Sequence, residues 1–472
     1  MIYLKKQIKK IYNNWANDPY IYEKDKSGKY QYITYKEFIE RALSIAKYLI
    51  DNNYKNKTII LLSENSINLM LYDLAITLYV GKSAIICKEW KKRDIEDAIK
   101  EIKAELIIYS DKYKDIVNKI RKENNINSLS MEKTNYPFTE ELLDLNIKKY
   151  NNVSKIVFSS GTTGKNKGVK LTIRNIFSGL NSLQKRCHLT HNDYSYMFLP
   201  MHHTYASICH FMYSLITGHR LYLASSTNNI GKELLETNPT VFCCVPVVLN
   251  NLYTIYKENI DKAFGTNIRM IICGGAPLSK EIRKIFKDKK LCLMQTYAMT
   301  ETSSSFTLAY PNSDDLYSAG ELYEDIDVKI INKNQDGIGE IIVKGDNVFK
   351  GYTNKLLNKK VFDKNGYFHT GDLGYINNKK LYIKGRKNKI LLTSNGENVY
   401  AESIEKRIQE KDNNINAVKT YIKKDKIAAN IYVKKNIDIK SIITIYNREV
   451  PKYEKIEYYN LYIDSIDTRL KQ

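Results

Sequence analysis

From Thr34 onward, apolar runs of strand length alternate with amphipathic stretches of helical spacing, and few folds accommodate that alternation. Thr34 and Glu37 form a Thr-x-x-Glu capping box, and Tyr35, Phe38, Ile39, Ala42, Leu43, Ala46, Leu49 and Ile50 follow on one face, which predicts a helix over 35–51. A strand at 58–62, a helix at 67–78, a strand at 83–87, a charged helix from about Arg93 and a strand at 106–109 continue the pattern. Residues 132–150 are polar and irregular and read as a connector. Strand-like runs return at 194–199, 221–224, 241–245, 268–273 and 291–295, again with helical stretches between them. Strands joined through helices need right-handed crossovers, hence a parallel sheet, and such sheets bind ligands beyond the C-terminal ends of their strands.

From about 321 the texture changes to short strands with Gly-rich turns, at 326–331, 339–343 and 381–383, which predicts a small β-barrel or β-layer. Beyond Arg386 come a strand pair, a helix at 402–409, a hairpin at 417–433 and another helix, an α+β texture. The expected fold class is α/β. A large N-terminal domain covers 1–385, with α/β layers at 1–150 and 151–320 and a β-barrel-like part at 321–385. A smaller C-terminal α+β domain covers 386–472.

The 472 residues, 43% of them hydrophobic, are enough for a substantial core. The N-terminus lacks the apolar run of a signal peptide, and no charge-free stretch reaches membrane-spanning length, so the expectation is a cytoplasmic protein without integral membrane association. Seven cysteines, an odd number without a Cys-x-x-Cys pair, read as buried free thiols in a reducing compartment. The +22 net charge raises a nucleic-acid partner, which predicts steeply salt-dependent binding to random duplex. The lysines, however, are spread along the whole chain beside abundant Asn, Ile and Tyr. The expectation is therefore no nucleic acid, and a basic surface that helps recruit anionic partners.

Residues 158–172, Phe-Ser-Ser-Gly-Thr-Thr-Gly-Lys-Asn-Lys-Gly-Val-Lys-Leu-Thr, suit a polyphosphate. Gly161, Gly164 and Gly168 let the backbone take positive φ and bring its N–H groups against an anion, while Ser159, Ser160, Thr162 and Thr163 can donate to phosphate oxygens. Lys165 or Lys167 would offset the charge. The nucleotide-triphosphatase loop needs Gly, four residues, then Gly-Lys-Ser/Thr. Counting excludes it, because Asn166 stands five residues after Gly161 and Val169 five after Gly164. A surface turn with incidental lysines is the competing reading.

The stretch resembles the signature loop of the adenylate-forming superfamily, which comprises acyl- and aryl-CoA ligases, peptide-synthetase adenylation domains and luciferases. The family pattern is Ser/Thr-Ser/Thr-Gly-Thr/Ser-Thr-Gly-x-Pro-Lys-Gly-Val. Lys167 takes the lysine position and Asn166 stands where Pro is usual. Further motifs follow in family order over nearly the whole chain. In 199–205, Leu-Pro-Met-His-His-Thr-Tyr, adjacent histidines point in different directions and no His lies at the helical zinc-ligand spacing, which argues against a metal. The resemblance instead implies that His203 lies beside an acyl tunnel, against the alternative of a core histidine.

Gly274-Gly275-Ala276-Pro277 and Gln295-Thr296-Tyr297-Ala298-Met299-Thr300-Glu301 resemble the adenine segments, where small residues admit a purine and Tyr297 can stack on it. The resemblance makes Glu301 the magnesium-associated carboxylate, a ligand type that Mg²⁺ prefers. Asp372, in 367–374, matches the ribose-binding aspartate, and Arg386 the arginine that reaches ribose or phosphate at the domain boundary. At the hinge position stands Asn388, where Asp or Lys is usual. Residues 393–405 resemble the loop used in the second half-reaction, with Ala401 for the usual Pro. Lys471, preceded by Leu470 in place of Gly, is the candidate C-terminal catalytic lysine.

What the resemblance implies is a mobile small domain and two half-reactions. A carboxylate attacks Mg·ATP to give acyl-AMP and pyrophosphate, and a thiol then displaces AMP. The expected catalytic residues are Lys471, Thr163, Lys167, Glu301 and His203. Nucleotide binding falls to Ser159, Ser160, Gly161, Thr162, Thr163, Gly164, Lys167, Gly274, Gly275, Ala276, Gln295, Thr296, Tyr297, Thr300, Asp372 and Arg386. The expected cofactors are ATP and Mg²⁺, with CoA or the phosphopantetheine of a trans-acting acyl carrier protein as acceptor. No acidic residue in 200–205 is present to pair a substrate ammonium, so the acid expected is uncharged elsewhere: a fatty acid first, an aryl acid next. The departures at Asn388, Ala401 and Leu470 raise a catalytically silent adenylate-binding protein as the alternative.

Overall fold

The computed structural model describes residues 2–160, 166–310, 315–387, 390–392, 398–423, 426–450 and 454–463. The chain forms two compact units, Met1–Asp327 with Lys344–Gly366, and Val328–Val343 with Tyr367–Gln472.

The first unit holds two sheets. One has six strands in the order Asn127–Ser130, Leu106–Tyr109, Thr58–Leu62, Lys82–Ile85, Val153–Ser160 and Asn166–Thr172. Its pairings are parallel except the last, which is antiparallel. The helix Tyr35–Asp51 starts at the expected capping box, with the Thr34 hydroxyl accepting from the Glu37 N–H and the Glu37 carboxylate accepting from the Thr34 N–H. All five residues of Thr58–Leu62 are buried, as a strand covered on both faces requires. Helices Lys92–Ile102 and Lys114–Asn124 contribute Ile95, Ile99, Val117 and Ile120 to a core shared with Ile60, Ile107 and Ile156.

The second sheet of this unit runs Gly320–Leu322, Ser305–Ala309, Leu293–Ala298, Met270–Cys273, Val241–Cys244, Tyr194–Met197, Arg220–Leu223, Pro19–Lys24 and Tyr30–Thr34. Its middle pairings are parallel and those at its two ends antiparallel. The candidate segments after Cys273 and Ala298 therefore leave the same, C-terminal, edge of neighbouring parallel strands.

In the second unit, Asp327–Ile331, Gly339–Lys344, Phe368–Asn377 and Lys380–Arg386 lie side by side in that order. After Arg386 come the antiparallel pair Ile390–Leu392 and Asn398–Tyr400, then a three-stranded sheet of Ile415–Lys423, Lys426–Val433 and Ile456–Ile463. Helices Ala401–Gln409 and Ile439–Glu449 bury Ile404, Ile408, Ile443 and Tyr446 against Ile427, Ala429, Ile431 and Val433 of that sheet. Ile456–Ile463 runs parallel to Lys426–Val433.

An ion pair is fully enclosed in the first unit. Lys155 Nζ lies 2.5 and 2.6 Å from the two oxygens of Asp73, which also accepts from the Ser83 hydroxyl at 2.5 Å. The side chains are 1% and 0% exposed. Deleting one partner leaves an uncompensated buried charge, a loss of about 3–5 kcal/mol. Lys155→Met should destabilise the unit by that amount in urea unfolding, and adding Asp73→Leu should restore most of it.

Two histidines in this unit are buried as neutral rings. His210 Nε2 lies 2.8 Å from the Ser195 hydroxyl, and His219 Nδ1 2.7 Å from that of Thr217. Burial lowers His210 from its usual 6.5 to about 4, and burial together with the neighbouring His210 lowers His219 to about 3. The unfolded chain takes up these protons near pH 6.5, while the folded chain resists them until about pH 4. Stability present above pH 6.5 should thus be lost as the pH falls through that window. Urea midpoints measured from pH 7 to pH 4 should decline, and His210→Asn should make the decline shallower.

Candidate active site

Val153–Ser160 and Asn166–Thr172 pair antiparallel, with Ser159 opposite Lys167 and Ser160 opposite Asn166, so residues 161–165 join two hydrogen-bonded strands. Gly161, Thr162, Thr163 and Gly164 lie outside the described residues, as does the side chain of Ser160. Ser159 and Lys167 face each other across the pairing where that connection begins. Gly168 follows at once, and its backbone is not in the left-handed region expected for it. Space is what requires glycine there, because an added Cβ would meet the Thr353 side chain at 2.8 Å.

Glu301 sits in a single turn, Thr300–Thr302, that follows the strand Leu293–Ala298, and is 7% exposed. Its Oε1 accepts from the Tyr352 hydroxyl at 2.8 Å, and its carbonyl accepts from the Phe349 N–H at 2.8 Å. Lys167 Nζ lies 5.8 Å from the centroid of the same Tyr352 ring. The cation and the carboxylate expected at the phosphates thus converge on one buried tyrosine. Among the described residues no group of three or more His, Cys, Asp or Glu side chains gathers as a closed metal cage. A Mg²⁺ that arrives on phosphates takes only one or two protein carboxylates, so the single Glu301 fits it.

The two adenine candidates are adjacent. Gly274 leaves the strand Met270–Cys273, its N–H donates to the Cys244 carbonyl at 3.1 Å, and an added Cβ would meet Thr296 Oγ1 at 2.6 Å. Gly275 has φ +84°, a conformation that suits glycine. Ala276 is exposed, Gln295 and Thr296 are buried, and Tyr297 is half-buried with its ring 4.8 Å from that of Phe306. His203 caps the short Thr204–Ala206 helix, exposed, with its ring 4.1 Å from that of His202. Tyr205, two residues on, reaches this region: its hydroxyl donates to the Ile272 carbonyl at 2.7 Å, and its ring lies 3.6 Å from where a Gly274 Cβ would be. Asn65 braces the loop from the other sheet, donating to the Leu199 carbonyl at 2.8 Å and accepting from the Met201 N–H at 3.0 Å.

In the second unit, Asp372 and Arg386 are partners across two antiparallel strands. Arg386 Nε lies 2.6 Å from Asp372 Oδ1, and the aspartate is buried. The Asp372 N–H donates to Thr370 Oγ1 at 3.0 Å, and Gly371 between them has φ +73°. Ala401, where the resembling family has Pro, is the first residue of the helix Ala401–Gln409. Proline is favoured there because that N–H lacks a helical partner, so alanine forfeits only the preset φ. Asn388, residues 393–397, Leu470 and Lys471 lie outside the described residues.

Sequence reasoning missed Tyr352, Tyr205 and Asn65. Gly351-Tyr352 was the available signal for the first, a glycine and an aromatic after the apolar Val348-Phe349. Tyr205 stood inside the segment singled out for His203, and nothing local marked Asn65.

A 2-succinylbenzoate–CoA ligase of Oceanobacillus iheyensis is 27% identical over 384 residues, covering 79% of this chain and 78% of that protein. A long-chain-fatty-acid–CoA ligase of Rattus norvegicus is 27% identical over 321 residues, 56% of this chain and 48% of that protein. Among solved structures, o-succinylbenzoate CoA synthetase from Bacillus subtilis in complex with ATP and magnesium superposes with TM-score 0.83 at 22% identity, covering 96% of this chain and 95% of that one. ATP-bound MatB from Rhodopseudomonas palustris gives TM-score 0.83 at 21% identity, covering 98% and 96%. These structures share the α/β fold with its large sheet-rich domain and smaller C-terminal domain. The AMP-binding enzyme family matches residues 9–353, well over half of the sequence. The chain belongs to that family, within the adenylate-forming superfamily.

Proposed function

We propose that this enzyme is an acid–thiol ligase that activates a carboxylic acid with Mg·ATP and passes the acyl group to CoA. The observation that carries the reading is the convergence of Lys167 and Glu301 on Tyr352 beside the hairpin that brackets residues 161–165. On this reading Ser159, Ser160, Gly161, Thr162, Thr163, Gly164 and Lys167 hold the phosphates. Glu301 would hold the magnesium that accompanies them, which when bound would supply positive charge to the pyrophosphate. Gly274, Gly275, Ala276, Gln295, Thr296, Tyr297 and Thr300 serve the adenine. Asp372, oriented by Arg386, accepts from the ribose hydroxyls, and His203 borders the acyl group. The division at 385/386 belongs to the same proposal.

The first step brings a carboxylate against a phosphate. At about 4 Å and an effective dielectric near 20, two like charges repel by roughly 4 kcal/mol, so a cation between them has a large lever. Lys471 is the residue assigned to that place. CoA rather than a carrier-bound thiol is favoured by the CoA ligases among the relatives. Their succinylbenzoate members favour an aromatic acid, and the absence of an acidic side chain in 200–205 accords with an acid that carries no ammonium. A fatty acid is the second reading, favoured by the rat relative. Seven free cysteines accord with a reducing, cytoplasmic setting.

Carboxylate-dependent pyrophosphate release from Mg·ATP, run with aryl acids, fatty acids and amino acids with and without CoA, tests the reading. Release with an aromatic acid, and AMP formation that depends on CoA, is the expected outcome, whereas release with amino acids alone would overturn it. Lys471→Ala should slow adenylation by about a hundredfold or more, the scale of losing one charge-stabilising group. An unchanged rate would remove Lys471 from the mechanism.

A further inference from the structure

Residues 349–353 form a strap that ties two parts of the first unit together through the backbone. At one end the Phe349 N–H donates to the Glu301 carbonyl at 2.8 Å. The rest runs along the strand that leaves the phosphate hairpin. The Lys350 N–H donates to the Lys170 carbonyl at 2.9 Å, the Lys170 N–H to the Gly351 carbonyl at 3.0 Å, and the Thr353 N–H to the Gly168 carbonyl at 2.8 Å. Tyr352 thus pairs with Val169 as a bridge between the strap and that strand. Asn358 holds the strap from behind, its Oδ1 accepting from the Tyr352 N–H at 2.7 Å. Phe349 packs its ring 4.9 Å from that of Tyr352 and stacks on Phe362.

Within this frame the Tyr352 hydroxyl reaches Glu301 Oε1 and donates to it at 2.8 Å. Tyr352 is 6% exposed, so water has little access to replace that donor. A neutral hydroxyl that donates to a carboxylate fixes the carboxylate's rotamer without cancelling its charge, which a lysine in the same place would do. The ring meanwhile presents its face toward Lys167 Nζ. One residue therefore sets the carboxylate and lines the position of the cation, and its backbone is registered to the hairpin that carries the cation.

We propose that Tyr352 is the positioning residue for the metal-associated carboxylate: its hydroxyl sets Glu301 for the magnesium of Mg·ATP, and the strap keeps that carboxylate in register with Lys167. The proposal rests on the assignment of Glu301 and Lys167 to Mg·ATP made above. Tyr352→Phe removes one oxygen and keeps the ring, the packing and the strap.

Calorimetric titration of ATP at stepped Mg²⁺ concentrations, with no acid present, tests it. Tyr352→Phe should raise the Mg²⁺ concentration needed for half of the gain in ATP affinity by roughly tenfold, the scale of losing a hydrogen bond to a charged group. ATP affinity without Mg²⁺ should stay at the wild-type value, and the melting temperature should fall only modestly, as expected when a buried carboxylate loses one donor. In a Glu301→Gln background the same substitution should add no further shift, because its effect runs through that carboxylate. An unchanged Mg²⁺ dependence in Tyr352→Phe would overturn the proposal, and so would an equal shift in the Glu301→Gln background. A lowered melting temperature with unchanged Mg²⁺ dependence would assign Tyr352 to packing and overturn it too. A wild-type ATP affinity that ignores Mg²⁺ would remove the underlying assignment as well, which separates the two failures.

Discussion

The antiparallel pairing of Val153–Ser160 with Asn166–Thr172 is the constraint on which the candidate site in the first unit depends. It adds an antiparallel strand to a sheet that is otherwise parallel, and so turns the chain back at the edge where parallel strands leave their ligands. Lys155, inside the first of these strands, is held by Asp73 from the helix Ile67–Ala75, so the strand's register is fixed from within the core. Moving that strand by one residue would drive a lysine from its buried counter-charge, Asp73, into apolar packing, a far larger penalty than any single hydrogen bond in the ladder. The positions of Ser159 and Lys167 inherit that rigidity.

Much of the fold was legible because its parallel strands are buried on both faces and read as unbroken apolar runs. Thr58–Leu62 and Leu106–Tyr109 fall where the sequence places them, and the helix Tyr35–Asp51 starts at its capping box. The N-terminal helix Ile2–Asn14 and the strand Pro19–Lys24 lie outside the elements expected from the sequence, although local signals stood there. The helix buries Leu4, Ile8 and Ile11 at helical spacing, and the strand forms a hairpin with Tyr30–Thr34 across the Asp25–Lys29 turn. What no local pattern announces is the strand's parallel partner, Arg220–Leu223, about two hundred residues later.

The candidate site was legible to the extent that its residues belong to loops with unusual composition. Glycine, threonine and lysine in 158–172 gave the hairpin, and the order of the later segments gave Glu301, Asp372 and Arg386. The cross-strand geometry of Asp372 and Arg386 follows from a short hairpin and needs no distant information. Tyr352 and Asn65 act across long stretches of chain, on Glu301 and on Leu199–Met201, and their own neighbours in sequence say nothing of that. Gly168 was singled out for the wrong physical reason: the close approach of Thr353, a residue far along the chain, and not backbone conformation, is what excludes a side chain there.

The last described strand of the second unit, Ile456–Ile463, is inserted parallel to Lys426–Val433, with the helix Ile439–Glu449 between them in sequence. During synthesis the hairpin of Ile415–Lys423 and Lys426–Val433 can form as soon as it leaves the ribosome, since its partners are adjacent. One edge of that hairpin then displays unpaired amides until residues beyond 456 emerge. A nascent chain stalled in that interval carries an open β-edge of alternating apolar residues, which makes this short window of translation the time at which the unit is most prone to pair with another molecule.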